Sequence, residues 1–394
     1  MLTIYILLRI CYNLSMFTRK IEKNIQNYLN GESNKILFIW GPRRAGKTTL
    51  ISKIGKEQGV PLFNFDFISD REKFQPRREF LEAIAKEHPL ILIDEVQSYP
   101  ESTLALKLLH DEYKVKVIAT GSSELRKKNQ DFDSLAGRYE ELYCLPFSIE
   151  EIENNVPHKL YEQQAFTYKL QNDLQIYGAY PETYISLGTE NGKISLLENI
   201  LESYVLKDII NLYDLKNAKL AKDILTKIAL QIGQEVSMRE IASSLQANVA
   251  TVSNYIEVFI KNYVLIPLPS FKTNLRRAVS ENRKLYFYDL GIRNALVKDF
   301  RPLGLRPDKG GVFENFIVSE LEKKRKVGQM SMSLYFYREY NGKEVDLVLE
   351  NYNKEYQCLE IKYRTQKITP VFPLPHTSRV INSDNFLSEI KAIE

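Results

Sequence analysis

The sequence predicts an α/β protein. Its first third is a parallel sheet built around a phosphate-binding turn, followed by a mainly helical region and a small α+β domain. Three observations carry this. The apolar run ILFIW at 36–40 breaks into GPRRAGKT and resumes as a helix with apolar Leu50, Ile51 and Ile54. A second apolar run, LILI at 90–93, ends in Asp94-Glu95. Around them, strand signals at 60–67 and 115–120 alternate with helix signals at 71–86 and 103–111. That alternation marks a parallel sheet with helices on both faces.

At 394 residues the chain exceeds one ordinary core, so two or three domains are expected. With 44% apolar and 26% charged residues the composition is globular. Lys plus Arg at 54 against Asp plus Glu at 50 leaves a net charge of +4, too balanced to imply nucleic acid without a local basic patch. Cys11, Cys144 and Cys358 are far apart and, with four scattered histidines, give neither a disulfide framework nor zinc-ligand spacing. A reducing cytoplasm is the expected compartment.

The opening MLTIYILLRICYNLS is apolar, but Arg9 interrupts it well short of the ~20 residues that span a bilayer. No small-residue cleavage site follows. Residues 1–16 are expected to be a disordered leader or an over-long reading of the gene, with the true start at Met16, which opens the amphipathic helix MFTRKIEKNIQNYL. A short interfacial anchor is the other reading, and no membrane span is expected. The sheet domain is expected at 17–150.

Within it, Gly41, Pro42, Arg43, Arg44, Ala45, Gly46, Lys47 and Thr48 fit G-x-x-x-x-G-K-[ST], with Thr49 continuing into the helix. Glycines let backbone N–H groups curl around phosphate oxygens, and the helix N-terminus favours negative charge. Lys47 then neutralises the β- and γ-phosphates, and the Thr48 hydroxyl sits on Mg²⁺. A turn that merely joins strand to helix is the alternative. Asp94 ends a strand where ligands bind in parallel sheets. It is expected to hold Mg²⁺ through water, with Glu95 polarising the attacking water. Thr120, Ser122 and Ser123 are placed to feel the γ-phosphate or, equally, to cap a helix. Arg138, beside Gly137 and before a strand, is expected to reach the γ-phosphate of its own or a neighbouring copy's nucleotide, or to make a surface salt bridge. The neighbour's nucleotide implies a homo-oligomer. No Asn-Lys-x-Asp element is present, which favours ATP over GTP.

Residues 151–233 read as helical, with YGAYPETY at 177–184 and a helical stripe at Leu197, Ile200, Leu201, Tyr204, Val205 and Ile209. Residues 234–284 read as a winged helix. Ile241, Leu245, Val249, Val252, Ile256 and Phe259 recur at helical steps with a polar break at 246–248. The second helix exposes Thr251, Ser253, Asn254 and Lys261, able to meet phosphates or base edges, yet it carries no arginine. DNA and a protein partner both remain open. The loop with Lys272, Arg276, Arg277, Arg283 and Lys284 is basic, or simply solvated.

In residues 285–394 a helix bears Glu314. Three strands follow, with turns near Asn341-Gly342 and Asn353. Glu360 and Lys362, two apart, share a strand face, and Asp346 lies on the strand before them. Such a set can bind Mg²⁺ through carboxylates, with Lys362 stabilising a hydroxide for phosphodiester cleavage. A charged hairpin face is the alternative.

The motifs GPRRAGKTTL, ILIDEVQ, ATGSSEL, LAGRYEELYCLPFSIEE, GAYPETY, KLYFYDLGIRNAL, GVFENFIVSEL, EVDLVLE and LEIKYR succeed one another in a familiar order. The chain resembles, over residues 17–364, a family of prokaryotic AAA-type ATPases with a C-terminal domain of unknown function. The resemblance implies an AAA-like P-loop NTPase core, a winged helix and a module similar to restriction-endonuclease-type nucleases. It gives Gly41, Gly46, Lys47 and Thr48 the phosphate-loop role, Asp94 and Glu95 the metal and water roles, and Arg138 the Gly-Arg position. Glu314, Asp346, Glu360 and Lys362 take the nuclease-like positions. After LEIKYR the chain departs from the family: prolines at 370, 373 and 375 discourage a helix, and an abbreviated end is expected. The expected function is therefore Mg²⁺-dependent ATP hydrolysis controlling a DNA- or protein-binding module. The alternative is an ATP-dependent nuclease.

Overall fold

The structure is a computed structural model that describes residues 17–122, 134–186, 188–213, 215, 217–272, 283–339, 342–364 and 371–393. The leader at 1–16, and with it Cys11, lies outside the described residues, as do Ser123, Arg276, Arg277, Asn341 and Pro370. The chain divides into two compact units, one ending at Phe147 and the other beginning at Ser148. Ser148 is the N-cap of a helix, accepting from Glu151 N–H while Glu151 reaches back to the Ser148 backbone, so the helix start belongs to the second unit. Among the described residues no helix is long and apolar enough to cross a membrane.

The first unit opens with helix α1 (Ile21–Asn30), which buries Ile21, Ile25 and Tyr28 along one face. The order is then β1 (Ile36–Trp40), α2 (Lys47–Gln58), β2 (Leu62–Asn64), α3 (Ile68–Lys73), α4 (Arg78–Glu87), β3 (Leu90–Asp94), α5 (Ser102–Leu108), β4 (Lys116–Gly121) and β5 (Tyr139–Tyr143). The strands form a five-stranded sheet in the order β2-β3-β4-β1-β5. All pairings are parallel. Every residue of β1 and β3 is buried, which is why both read as unbroken apolar runs.

Two expectations differ in detail. The strand expected at 60–67 is only Leu62–Asn64, because Asn64 Oδ1 accepts from Asp66 N–H and its carbonyl from Phe67 N–H, turning the chain. The helix expected at 71–86 is two helices, parted before Arg78. Pro76 disfavours helical backbone at Gln75.

The second unit begins with α6 (Ile149–Asn155), α7 (Gln163–Tyr177), α8 (Pro181–Ile185) and α9 (Glu190–Ile200). A π-helical stretch, Leu201–Asp208, leads to α10 (Ile209–Leu212), and α11 (Ala218–Leu230) follows. Next come β6 (Glu235–Val236), α12 (Met238–Ser244), α13 (Val249–Lys261), β7 (Leu265–Pro269) and β8 (Arg283–Phe287), whose strands form an antiparallel sheet in the order β6-β8-β7. The divisions expected at 234 and 284 do not isolate a module. Residue 284 lies inside β8, and α11 contributes Ile224, Leu225 and Ile228 to the core that holds Val252, Ile256 and Phe259.

After α14 (Leu290–Val297) and the long α15 (Lys309–Val327), four strands pair in the order β12-β11-β10-β9. These are β9 (Met332–Arg338), β10 (Glu344–Asn351), β11 (Tyr356–Ile361) and β12 (His376–Ile381), and α16 (Phe386–Lys391) closes the chain. β9, β10 and β11 are antiparallel, while β12 runs parallel to β11. The register of β10 on β9 slips between Val345 and Val348, a bulge that contains Asp346. The end expected to be abbreviated thus holds a fourth strand and a helix. Pro373 and Pro375 precede edge strand β12 rather than interrupt it.

Candidate functional site

The phosphate loop leaves the carboxyl end of β1 and enters α2. Arg44 and Gly46 are in left-handed backbone, with φ of 63° and 94°, a conformation that costs glycine little and turns the chain sharply into the helix. Gly41 passes so close to β5 that a Cβ would stand 1.9 Å from the Cys144 carbonyl oxygen, so no side chain fits. Arg19 clamps the loop from beneath, its Nη1 donating to the Ala45 carbonyl at 2.8 Å and its Nη2 to that of Leu145.

Lys47 is only 4% exposed, and its Nζ donates to the carbonyls of Gly41 (2.9 Å) and Pro42 (2.8 Å). Burial lowers its pKa, while the charges of Glu95 and Asp94 act the other way. A buried cation whose charge is met only by neutral carbonyl hydrogen bonds can take an anion as a further partner. Thr48 Oγ1 donates to Asp94 Oδ2 at 2.8 Å, and Thr120 Oγ1 donates to Asp94 Oδ1. Thr120 therefore spends its hydroxyl on Asp94. Thr49 is exposed one residue further on, and Pro42 and Ala45 are buried in the loop. The oxygen donors of Thr48 and Asp94, side by side at the loop, fit Mg²⁺, which takes one or two protein oxygens and completes its shell with phosphate and water.

Glu95 sits just past β3 with φ of 53°, left-handed backbone that is uncommon outside glycine. Gln97 Nε2 donates to its Oε2.

Arg138 is placed elsewhere. Its carbonyl accepts from Ile36 N–H at 2.8 Å, so it lies at the amino end of β1 and β5. The loop is at the carboxyl end, ~13 Å away along β1. Arg138 Nε instead donates to Asp111 Oδ1 at 2.7 Å and holds that carboxyl down to about 2. The expectation that Arg138 reaches its own chain's γ-phosphate is corrected by this placement.

In the second unit, Lys362 Nζ bridges Asp346 Oδ2 (2.7 Å) and Glu360 Oε2 (3.2 Å), and Asp346 Oδ2 also accepts from Ile361 N–H at 2.8 Å. Burial and the charge of Asp346 push the Glu360 carboxyl up to about 7. Glu314 is paired with a different lysine. Its Oε1 accepts from Lys284 Nζ at 2.9 Å and from the Tyr286 hydroxyl, and Lys284 also pairs with Glu344. Burial raises the Glu314 carboxyl, and the charge of Asp346 adds to this. Lys284, expected in a basic or solvated loop, is a 2%-exposed cation between two carboxylates, a correction that charge pattern alone does not supply. Among the described residues no three His, Cys, Asp or Glu side chains are grouped to hold a metal, so Glu314, Asp346 and Glu360 do not form the expected three-carboxylate set.

Comparison with known proteins divides the chain in three. Residues 33–153 match an AAA domain. Residues 168–308 and 309–372 match two domains of unknown function, DUF8612 and DUF4143. An uncharacterised protein of Methanocaldococcus jannaschii is 26% identical over 344 residues, 82% of this chain and 74% of its own. Another, of Haemophilus influenzae, is 23% identical over 293 residues, 68% of this chain and 72% of its own. Among solved structures, the Thermotoga maritima RuvB Holliday junction branch migration motor covers 63% of this chain and 89% of its own, at 16% identity and a TM-score of 0.32. That overlap is too loose to transfer a function. The AAA domain has a P-loop NTPase fold with a parallel five-stranded sheet.

Sequence reasoning passes over Arg19 and Gln97. Arg19 meets Ala45 26 residues on and Leu145 126 residues on, which no local pattern records. Gln97 stands in the quoted motif ILIDEVQ, and its spacing of two from Glu95 is the signal available.

Proposed function

We propose that the AAA domain binds ATP with Mg²⁺ and hydrolyses it, and that its nucleotide state controls a DNA- or protein-binding module in the second unit. The observation that carries this reading is Lys47, a buried cation hydrogen-bonded to two backbone carbonyls, beside the hydrogen-bonded Thr48–Asp94 pair. Gly41 to Thr49 wrap the phosphates, and Lys47 balances charge on the β- and γ-phosphates. Thr48 and Asp94 would hold Mg²⁺, which supplies further charge neutralisation when bound. Glu95 takes a proton from water as the water oxygen bonds to the γ-phosphorus and the bond to the β–γ bridging oxygen breaks. Arg138 is kept in this reading as a residue for a neighbouring copy's nucleotide, consistent with a homo-oligomer.

Glu95→Gln keeps the shape but removes the base. The expected result is hydrolysis slowed roughly 10²- to 10⁴-fold with ATP retained on the protein, measured by single turnover and by nucleotide retention. Normal hydrolysis by this variant removes Glu95 from the role.

For the second unit, the succession α11, β6, α12, α13, β7, β8 with strand order β6-β8-β7 supports the winged-helix reading. Thr251 and Asn254 are exposed on α13. Hydrolysis measured with and without single- and double-stranded DNA separates the partners. Stimulation that weakens steeply with salt supports nucleic acid. Indifference to DNA directs the search to a protein. The nuclease reading stands second, favoured by the convergence of Asp346, Glu360 and Lys362. It requires Mg²⁺-dependent DNA cleavage that Lys362→Ala abolishes, and no cleavage across millimolar Mg²⁺ removes it.

A further inference from the structure

We infer that Gln97 is a positioning residue for Glu95 that ties it to the carboxyl end of β4. This rests on the ATPase reading above. Gln97 lies in the short 3-10 turn Val96–Ser98 that follows β3. Its side-chain amide is used at both ends: Nε2 donates to Glu95 Oε2, and Oε1 accepts from the backbone N–H of Ser122 at 3.2 Å. A carboxylate cannot make the first bond and an ammonium cannot make the second, so the site calls for an amide. The reach matters too, since an asparagine is one methylene shorter.

Ser122 is the first residue past β4, and β4 lies between β3, which ends in the acid pair, and β1, which feeds the phosphate loop. Both acids are thus wired to one strand tip. Asp94 is reached through the Thr120 hydroxyl, and Glu95 through Gln97 and the Ser122 backbone. Ser122 carries a buried hydroxyl with no hydrogen-bond partner, poised for a new acceptor. The junction is tight. A Cβ on Gly121 would stand 2.8 Å from Gln97 Oε1 and 2.9 Å from the Trp40 ring, so Gln97 and Trp40 are packed closely against the tip of β4. With its backbone already in a sparsely populated region, Glu95 has its carboxylate aimed by Gln97 rather than left to sample solvent.

Trp40 is the chain's single tryptophan and directly precedes Gly41, so its fluorescence reports this junction without a label. The test compares the full chain with Gln97→Glu and Gln97→Leu. Mg²⁺-ATP binding is read by Trp40 fluorescence, hydrolysis by steady-state kinetics that separate kcat from KM, and integrity by Tm. Both variants are expected to bind Mg²⁺-ATP within about 3-fold of the parent and to lose about 10- to 100-fold in kcat, the usual scale for an outer partner that orients a reacting group. Parent-like kcat in both variants overturns the inference while leaving the ATPase intact. So does a loss in which affinity, kcat and Tm fall together. If the parent itself shows neither a Trp40 response nor hydrolysis that Lys47→Ala removes, the ATPase reading fails, and the inference falls with it.

Discussion

Lys47→Ala is expected to lose ATP binding and hydrolysis while melting within a few degrees of the parent. The side chain's two hydrogen bonds go to the Gly41 and Pro42 carbonyls, and its charge is buried against a desolvation cost. Removing it takes that cost away along with the bonds, so the fold loses little. The nucleotide loses much more. Two charge-assisted contacts at roughly 1.5–3 kcal/mol each correspond to a fall in affinity of about 10²- to 10⁴-fold. Equilibrium binding of Mg²⁺-ATP by Trp40 fluorescence, beside a thermal melt, reads both quantities. Unchanged hydrolysis in this variant sinks the phosphate-loop reading. The pH dependence carries a definite sign. Burial holds the Lys47 pKa below the ordinary lysine value, and bound phosphates raise it again. Binding therefore takes up protons as pH passes through the depressed pKa, and parent affinity falls with rising pH earlier than an ordinary lysine would dictate.

Lys284→Ala is expected to destabilise the second unit by about 3–5 kcal/mol, since it strands Glu314 and Glu344 beside a vacated buried cation. In a unit of this size the fall in Tm is on the order of 10 °C. The Glu314 carboxyl is already raised by burial, and losing Lys284 raises it further. A raised carboxyl means that the folded state binds more protons than the unfolded one between the ordinary value, about 4.3, and the folded pKa. The variant's deficit therefore widens as pH rises through that window and narrows as pH falls back across it. Melting curves across pH decide the matter. A variant as stable as the parent near neutrality shows that the lysine is dispensable and the carboxylates find water instead.

The sheet domain is readable from sequence because its determinants are local. Strands covered on both faces must be apolar throughout, and a loop that wraps phosphates needs glycine, lysine and threonine at fixed spacing. The same logic already holds the answer on Arg138. A residue just before a parallel strand stands at the amino edge, away from the crevice where ligands bind. Lys284 is different. A lysine in a run of basic residues reads as solvated, and nothing nearby announces carboxylates 30 and 60 positions later in the chain. Arg19 escapes for the same reason, its partners lying in the phosphate loop and after β5. The boundary at 284 fails because antiparallel pairing places β8 between β6 and β7, joining segments that composition would separate.

The bulge in β10 bears on how this sheet tolerates gain and loss of residues. Between Val345 and Val348 the strand advances three residues while β9 advances two, from Tyr337 to Tyr335. Side chains alternate faces along a strand, so parity decides which face each residue meets. Asp346 owes its place beside Lys362 to that odd residue as much as to its own chemistry. Substitutions around it leave the count intact. Deleting one residue would give a more regular ladder and a different face for the carboxylate, so in this segment length is under tighter constraint than composition.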